Sequence, residues 1–237
     1  MVKKLMTQLA LGAMLVAVCS CALLAQNPQL RTKNGQRFPT VVFTSVLWNT
    51  NPPYYSIAID STGASTYQSA PDSVDRSGVP YSIEFQANDA TRRMTFSIAE
   101  DLNFLNGEFP AKLGFPADTP VRTLIYHDTT FNNQITYSES SDSEIQELTS
   151  VFEEISTTLE FGRRVAYMHQ HDKTALDGEL ASMQKEQSRH LLRELQAVAP
   201  VLKSVMADGN LPETVRGRAE KILQTPTRPG AGPHPAR

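Results

Sequence analysis

TVVFTSVLW, residues 40–48, is rich in β-branched and aromatic side chains, which is typical of a strand buried inside a sheet. The next apolar stretch, YYSIAID at 54–60, places apolar side chains at every second position and so predicts a second strand. Gly63 then turns the chain into a strand over 65–69, which predicts a β-hairpin. Alternation returns in PYSIEF, 80–85, and predicts a fourth strand.

A helix and a second hairpin follow these strands. Asp89 is a suitable N-cap for a helix whose apolar residues recur at steps of four, four and three. Those apolar residues are Met94, Ile98, Leu102 and Leu105. Gly107, followed by a proline, predicts the end of the helix. Alternation resumes at 122–128 and 134–139 on either side of a polar loop, which predicts two more strands.

The order of these elements predicts the fold class. Residues 26–140 are expected to form a sheet-rich α+β domain, in which one helix packs on a small, mostly antiparallel sheet of about five to six strands. Residues 141–224 are expected to form a long helical C-terminal half. This half comprises a long amphipathic helix and a helical pair.

The long amphipathic helix begins at a capping box, with Ser141 as the cap and Glu144 three residues later. A narrow apolar seam follows at steps of three and four: Ile145, Leu148, Phe152, Ile155 and Leu159. This seam predicts a helix that covers the sheet or, alternatively, a coiled coil that joins copies of the chain. We expect a bend or break near Gly162 or in HQHDKT, 169–174, where the apolar spacing lapses.

Residues 191–223 predict two helices joined by a turn at ADGNLP. The turn and the opening of the second helix, PETVRGRAEKIL, are similar to a HEAT-type repeat, and this resemblance implies a helical pair. Because a solenoid needs at least three repeats, we expect the pair to pack on the preceding helices. The proline- and glycine-rich stretch 225–237 predicts a disordered tail.

Residues 1–25 have the three parts of an export signal: two lysines, an apolar run and small residues before a cleavage site. The apolar run has about ten residues, whereas a bilayer-spanning helix needs about 20. Cleavage after Ala25 or Ala22 would release a free protein, and cleavage before Cys21 would leave a lipid-anchored one. We therefore expect a periplasmic or secreted protein, with lipidation of Cys21 as the alternative.

Charge and hydropathy narrow the classes of partner. Removal of residues 1–25 takes away two lysines and no acid, which changes the net charge from −3 to −5. This charge argues against a nucleic-acid binder, since phosphate contacts need a basic patch. The remaining chain has no apolar run of membrane-spanning length, so no transmembrane segment is expected after signal cleavage.

An aromatic and amide cluster is the candidate binding site. WNTNPPYY, 48–55, contains the only tryptophan of the chain. The candidate residues are Trp48, Asn49, Asn51, Tyr54 and Tyr55. Aromatic rings can stack on a sugar or a peptide while neighbouring amides form hydrogen bonds. The alternative is that the aromatic residues close the edge of the core, because the cluster lies at a junction between strand and loop.

His169, His171 and Asp172 are the candidate metal ligands. Residues two apart on a helix point in opposite directions, so the two histidines could share a metal only in a strand or an irregular turn. A zinc site would also need a ligand from elsewhere. The alternative is that these are solvated surface residues, and no cofactor is expected.

The sequence contains no Gly-x-Ser-x-Gly nucleophile motif, and cleavage after Ala25 would remove both cysteines. We therefore expect a non-enzymatic interaction or scaffold protein that contacts another protein, or a second copy, through the helices of 141–224. A sugar- or peptide-binding module at the aromatic cluster and a metal-dependent hydrolase are the alternatives. The whole chain resembles uncharacterised exported bacterial proteins with a signal peptide, a small sheet domain and a helical tail, and this resemblance implies export but no particular activity.

Overall fold

Six antiparallel strands form the main sheet in the order β4-β3-β2-β1-β6-β7. Their bounds are β1 Thr40–Val46, β2 Tyr54–Asp60, β3 Ala64–Ser69, β4 Tyr81–Gln86, β6 Val121–His127 and β7 Asn132–Tyr137. A separate two-stranded sheet consists of β5 Ala111–Lys112 and β8 Glu139–Ser140. The computed structural model describes residues 38–70 and 80–225, which belong to one compact unit. The predicted signal peptide, including Cys21, and residues 226–237 of the predicted tail lie outside the described residues.

All six predicted strands are confirmed, and the stretch 40–48 supplies a central strand. β1 pairs with β2 on one side and β6 on the other. In this register Phe43 lies opposite Ile57 and Leu124, so the three side chains share one face of the sheet. Gly63 has a φ of 88°, the left-handed conformation that the β2–β3 hairpin turn needs. The short strands β5 and β8 were not predicted, because two residues carry no periodic signal.

Five α-helices lie broadly where the apolar spacing predicts helices. They are α1 Asp89–Asp101, α2 Ser143–His171, α3 Leu176–Ser188, α4 Leu195–Ala207 and α5 Glu213–Gln224. The α+β fold class and the helical C-terminal half are thereby confirmed. Within residues 38–70 and 80–225, no helix is both long and apolar enough to cross a membrane.

Helix α2 covers one face of the sheet with the predicted seam. All five seam residues are buried with 0% exposure: Ile145, Leu148, Phe152, Ile155 and Leu159. The ring of Phe152 stacks on that of Phe43, with centroids 5.2 Å apart. The sheet-covering alternative is therefore right. The coiled coil is wrong for this seam, because its residues are already packed within the chain.

Two predicted helix caps are shifted by one residue. Asn88, not Asp89, caps α1 by accepting a hydrogen bond from the Thr91 N–H. Asp142, not Ser141, caps α2 by accepting from the Ile145 N–H. In both cases the residue three positions before the bonded N–H has the side-chain oxygen that can reach it.

Helix α2 runs without a break through Gly162 and ends at His171, so the break falls within HQHDKT. Gly162 is instead a point of close approach between helices. A Cβ atom at this position would lie 2.9 Å from the Cβ of Val198 on α4, and closer still to its Cγ1. The glycine therefore permits α4 to pack directly on α2.

Helix α1 ends at Asp101, earlier than the predicted closure at Gly107. Three successive residues with positive φ follow, Asn103, Phe104 and Leu105. This left-handed turn buries Leu105 and brings the Phe104 ring 5.0 Å from the ring centroids of Tyr126 and Phe131. Apolar spacing alone could not show the turn, since Leu105 is buried as predicted but by a different backbone path.

The C-terminal helical pair, α4 and α5, is confirmed. The segment just before α4 is bonded to the N-terminus of α1. Glu194 is fully buried and accepts hydrogen bonds from the N–H and the Nδ2 of Asn88, at 2.9 and 2.7 Å. The neighbouring Arg193 pairs with Glu154 of α2 at 2.8 Å. The helical pair is therefore held against α1 and α2.

Candidate binding surface

Two loops at one end of the sheet are joined by their backbones. One loop, 47–53, connects β1 to β2, and the other, 113–120, connects β5 to β6. The Trp48 N–H donates to the Pro116 carbonyl at 2.8 Å, and Asn49 Nδ2 donates to the Ala117 carbonyl at 3.1 Å. Since β1 and β6 are neighbours, the two loops leave adjacent strand ends and meet directly.

The first loop is also closed on itself. The Leu47 N–H donates to the Pro53 carbonyl at 2.9 Å across the base of the loop. Thr50 Oγ1 donates to the carbonyls of Leu47 and Pro52, at 2.7 and 3.1 Å. These bonds hold the backbone on either side of Trp48.

The second loop is held in a tight turn around Gly114. The Gly114 N–H donates to the Ser138 hydroxyl at 2.8 Å. A Cβ at Gly114 would lie 3.2 Å from the Cβ of Thr119 and closer still to its Oγ1, so no larger residue fits without displacement. The N–H groups of Asp118 and Thr119 both donate to the Phe115 carbonyl at 3.0 Å. The backbone that carries Phe115 is therefore fixed from both sides.

These two loops expose most of the large apolar side chains at the surface. Four such side chains are exposed among the described residues, and three of them lie on the joined loops. The exposed fractions are 63% for Trp48, 69% for Leu113 and 80% for Phe115, against 37% for Leu191, which precedes α4. We call Trp48, Leu113 and Phe115 the loop surface. Exposed large apolar residues on a backbone that hydrogen bonds hold in place are typical of a binding surface.

The sequence-predicted aromatic cluster divides between the surface and the core. Trp48, Asn49 and Asn51 are exposed on the first loop, as a binding edge requires. Tyr55 is half-buried and packs against the core, the position that the core-closing alternative expects. It shares a face with Ile57, and burial raises the pKa of its hydroxyl above the ordinary value. Tyr54 is half-buried on the opposite face, and burial also raises the pKa of its hydroxyl.

The base of the loop surface is anchored on α2 by Arg122. Its guanidinium pairs with Glu153 at 2.7 Å and donates to the Ser138 carbonyl at 2.7 Å. The Tyr137 hydroxyl next to Ser138 bonds to Thr149 of α2, and burial raises the pKa of Tyr137 to about 12. Ser138, which holds Gly114, is thus fixed by contacts to the long helix.

The predicted metal ligands do not come together. His169 Nε2 lies 3.1 Å from Asp208 Oδ2, at the turn between α4 and α5. The His171 ring instead packs against Tyr167, with centroids 4.8 Å apart. Asp172 is the C-cap of α2 and accepts from the Thr174 hydroxyl. In the part of the chain that the structure describes, no three His, Cys, Asp or Glu residues form a group that could hold a metal ion.

Sequence reasoning missed a buried polar network between sheet and helix. Glu160 is 4% exposed and accepts a 2.7 Å hydrogen bond from the Tyr67 hydroxyl. Its other oxygen pairs with Arg163 at 2.7 Å. Ser156, Glu160 and Arg163 recur at helical steps of four and three, a signal that they share a stripe. Their common position within the core, between β3 and α2, follows only from the tertiary fold.

Leu113 and Phe115 were also missed. They lie in a stretch between a predicted helix end and a predicted strand, where no periodicity assigns apolar residues to a core. Their position outside every periodic segment is the sequence feature that could have identified them as exposed, because such an apolar residue has no predicted partner in the core. No model of a known protein family matches the chain, and a search of the curated proteins found no match.

Proposed function

We propose that this protein is an exported, non-enzymatic binding module that docks another protein through the loop surface. The observation that carries the proposal is the exposure of Trp48, Leu113 and Phe115 on two loops that hydrogen bonds join and fix. Burial of a Phe or Leu side chain at an interface contributes about 1.5–3 kcal/mol. A fixed backbone reduces the entropy lost on binding, which favours affinity further.

The loop surface replaces the helices of 141–224 as the proposed contact. Sequence periodicity predicts a partner surface on those helices, but their apolar stripes are buried against the sheet and against each other. The described residues of α3, α4 and α5 show no large apolar side chain among the exposed ones. An interaction that depends on apolar contacts is therefore better supported at the loops.

Comparison of three chains in the native host tests this proposal. Wild-type protein, a Leu113→Ser/Phe115→Ser variant and a Leu191→Ser control are recovered after chemical crosslinking, and their partners are quantified by mass spectrometry. We expect at least one partner to be lost from the loop variant and retained by the control. The urea midpoint of each variant is measured in parallel, because exposed residues should change it little. Recovery of the same proteins by all three chains would refute the proposal.

A sugar-binding role has one observation in its favour. Trp48 is 63% exposed and lies beside the amide of Asn49, an arrangement that suits stacking on a sugar ring. Because Trp48 is the only tryptophan, its emission reports on this site alone. A shift in emission with an envelope glycan would favour this role over protein binding. Unchanged emission across a glycan panel would remove it.

Export and anchoring remain part of the same proposal. The support is the three-part signal in residues 1–25. The intact mass of protein recovered from membrane and soluble fractions distinguishes the alternatives. A chain that begins at acylated Cys21 would be a tethered envelope protein, and one that begins at Gln26 would be a free periplasmic or secreted protein. An uncleaved chain in the cytosol would refute export.

A further inference from the structure

Strand β4 lies at one edge of the main sheet and has a row of backbone groups on its outer side. Within residues 38–70 and 80–225, β3 is the only strand that pairs with it. The Ala87 N–H donates to the Gly63 carbonyl at 2.9 Å, directly beyond the last pair of the β3–β4 ladder. Bonded and non-bonded pairs alternate along an antiparallel ladder, so the odd-numbered residues of β4 direct their N–H and carbonyl groups toward β3. The even-numbered residues direct theirs outward: Ser82, Glu84 and Gln86.

The outer row has as many donors as acceptors. Its donors are the N–H groups of the three even-numbered residues of β4. The Pro80 carbonyl also points outward, because the next N–H in the chain points toward β3, but proline adds no donor. The Gln86 carbonyl already accepts a hydrogen bond from Gln196 Nε2 at 3.1 Å. The acceptors that remain for another strand are the carbonyls of Pro80, Ser82 and Glu84.

A second copy of β4 matches this row in one register. If two antiparallel copies are related by a two-fold axis at Ile83, Ser82 of each copy lies opposite Glu84 of the other, and each pair exchanges two backbone hydrogen bonds. The Gln86 N–H then faces the carbonyl of the other Pro80. The Gln86 carbonyl faces a residue without an N–H, and it is the carbonyl that already has a donor in its own chain. Every donor of the outer row therefore meets an acceptor.

A register shifted by two residues in either direction loses this match. A two-fold axis at Glu84 would place the two glutamates directly opposite each other, which is unfavourable, and would aim the Ser82 N–H at the occupied Gln86 carbonyl. An axis at Ser82 would place Glu84 opposite Pro80, so that the Glu84 carbonyl would find no N–H. The backbone of β4 is therefore complementary to itself about Ile83.

The side chains of β4 agree with the same register. Tyr81, Ile83 and Phe85 are half-buried and pack on the core at the edge of the sheet. With the axis at Ile83, the two Ile83 side chains meet, and each Tyr81 lies opposite the other Phe85. Cross-strand pairs of aromatic residues stabilise antiparallel sheets. A second strand would thus cover the parts of these side chains that a single chain leaves exposed.

The opposite edge of the sheet, β7, is occupied in part by the chain itself. The N–H of Ser138, the residue after β7, donates to the Lys112 carbonyl at 2.7 Å, where the chain bends into the β5–β8 sheet. Asn133 Nδ2 donates to the Phe104 carbonyl at 3.0 Å, so the left-handed turn after α1 lies against β7. β4 is therefore the edge that is better suited to pair with another strand.

We infer that this protein forms a two-fold symmetric dimer in which the β4 strands of two copies pair antiparallel about Ile83 and join the two sheets. The contact lies on β4 and does not use the loop surface, so this inference and the proposed function do not depend on each other. The dimer carries two loop surfaces on one assembly. A partner that contains two binding sites could then bind both of them.

The mass of the mature chain in solution tests the inference. Light scattering after size-exclusion chromatography, over a range of concentrations, should give twice the mass of one chain. Ser82→Pro removes one outward N–H from each copy, at an edge position where proline is tolerated. We expect this variant to dissociate at concentrations at least about tenfold higher than the wild type does, with little change in its urea midpoint.

Gln134→Pro on β7 is the matched control. The Asp128 N–H donates to the Phe131 carbonyl at 2.9 Å, directly beyond the last pair of the β6–β7 ladder. By the same alternation the Gln134 N–H points outward from the opposite edge of the sheet. Gln134→Pro should therefore dimerise as the wild type does.

A cysteine at position 83 tests the register. Residues opposite each other in a non-bonded pair have Cα atoms about 4.5 Å apart, a distance that a disulfide can span. The chain from Gln26 onward contains no cysteine, so Ile83→Cys should give a covalent dimer on oxidation. Glu84→Cys is the control, because the two copies of this residue are diagonal neighbours about 7–8 Å apart and should crosslink little.

Several results would overturn the inference. These are a wild-type chain that stays monomeric at every concentration, a dimer that Ser82→Pro leaves intact, and failure of Ile83→Cys to crosslink. Polymers that grow with concentration would indicate pairing of β4 with β7 of the next copy and would also overturn it. If Ser82→Pro does not fold, the two cysteine variants decide between these outcomes.

Discussion

Replacement of Gly162 by alanine should destabilise the protein, although alanine is the better helix former. Gly162 lies inside α2, where alanine would gain about 1 kcal/mol of helix propensity. The new Cβ would lie 2.9 Å from the Val198 Cβ, whereas ordinary contact begins at 3.4 Å. Val198 is β-branched and 2% exposed, so it cannot rotate out of the way.

The expected size follows from these two opposing effects. Overpacking in a well-packed core costs about 1–3 kcal/mol and occasionally more. With two atoms of Val198 inside contact distance we take the upper part of that range. After the gain in helix propensity, Gly162→Ala should lower the free energy of unfolding by about 1–2 kcal/mol.

Gly217 provides a matched control. It lies inside α5, and a Cβ there meets nothing within 4 Å. Gly217→Ala should therefore raise the free energy of unfolding by about 0.5–1 kcal/mol. Urea unfolding of both variants and the wild type, followed by far-UV circular dichroism, measures the difference. If Gly162→Ala stabilises the protein as Gly217→Ala does, α2 and α4 do not approach as described.

Substitutions at three further positions test other parts of the structure. Tyr67→Phe should lower the free energy of unfolding in urea by about 1–3 kcal/mol, because buried Glu160 loses a 2.7 Å donor; no change would contradict the network. The hydrogen bond from Lys173 holds the pKa of Asp208 well below its usual 3.8. The ionised Asp208 therefore contributes to the free energy of unfolding above that pH, and this contribution is lost as the pH falls below it. Asp208→Asn should therefore be less stable than wild type at neutral pH, and the gap should close as acid unfolding is followed below about pH 4; a constant gap would refute this. Asn103→Gly should be neutral or stabilising and Asn103→Val destabilising by about 1–2 kcal/mol in thermal unfolding, because φ is 49° at this position; equal effects would contradict the left-handed turn.

The strands and helices could be predicted because local patterns determine them. β1 and β2 follow from alternation and from β-branched residues, and the α2 seam follows from its three-four spacing. The role of Gly162 could not be predicted from the sequence, because glycine in a helical pattern indicates either a break or a close contact. Only the position of Val198 on α4, 36 residues away in sequence, distinguishes the two.

The candidate site could be predicted only in part. Trp48 was found because it is the only tryptophan and lies beside amides and prolines. Phe115 on the adjoining loop was not found, because the two loops meet through the pairing of β1 with β6, a contact between distant parts of the sequence. Tyr55 lies on the same face of β2 as Ile57, and alternation shows which residues share a face but not which face the helix covers.

A photo-crosslinking amino acid at position 115 in the native host tests whether the loop surface binds a partner protein. The same group at position 191 serves as the control, since Leu191 is also exposed but lies away from the loops. We predict that position 115 yields a discrete adduct with one or a few partner proteins and that position 191 does not. No adduct from position 115, or the same adducts from both positions, would contradict it.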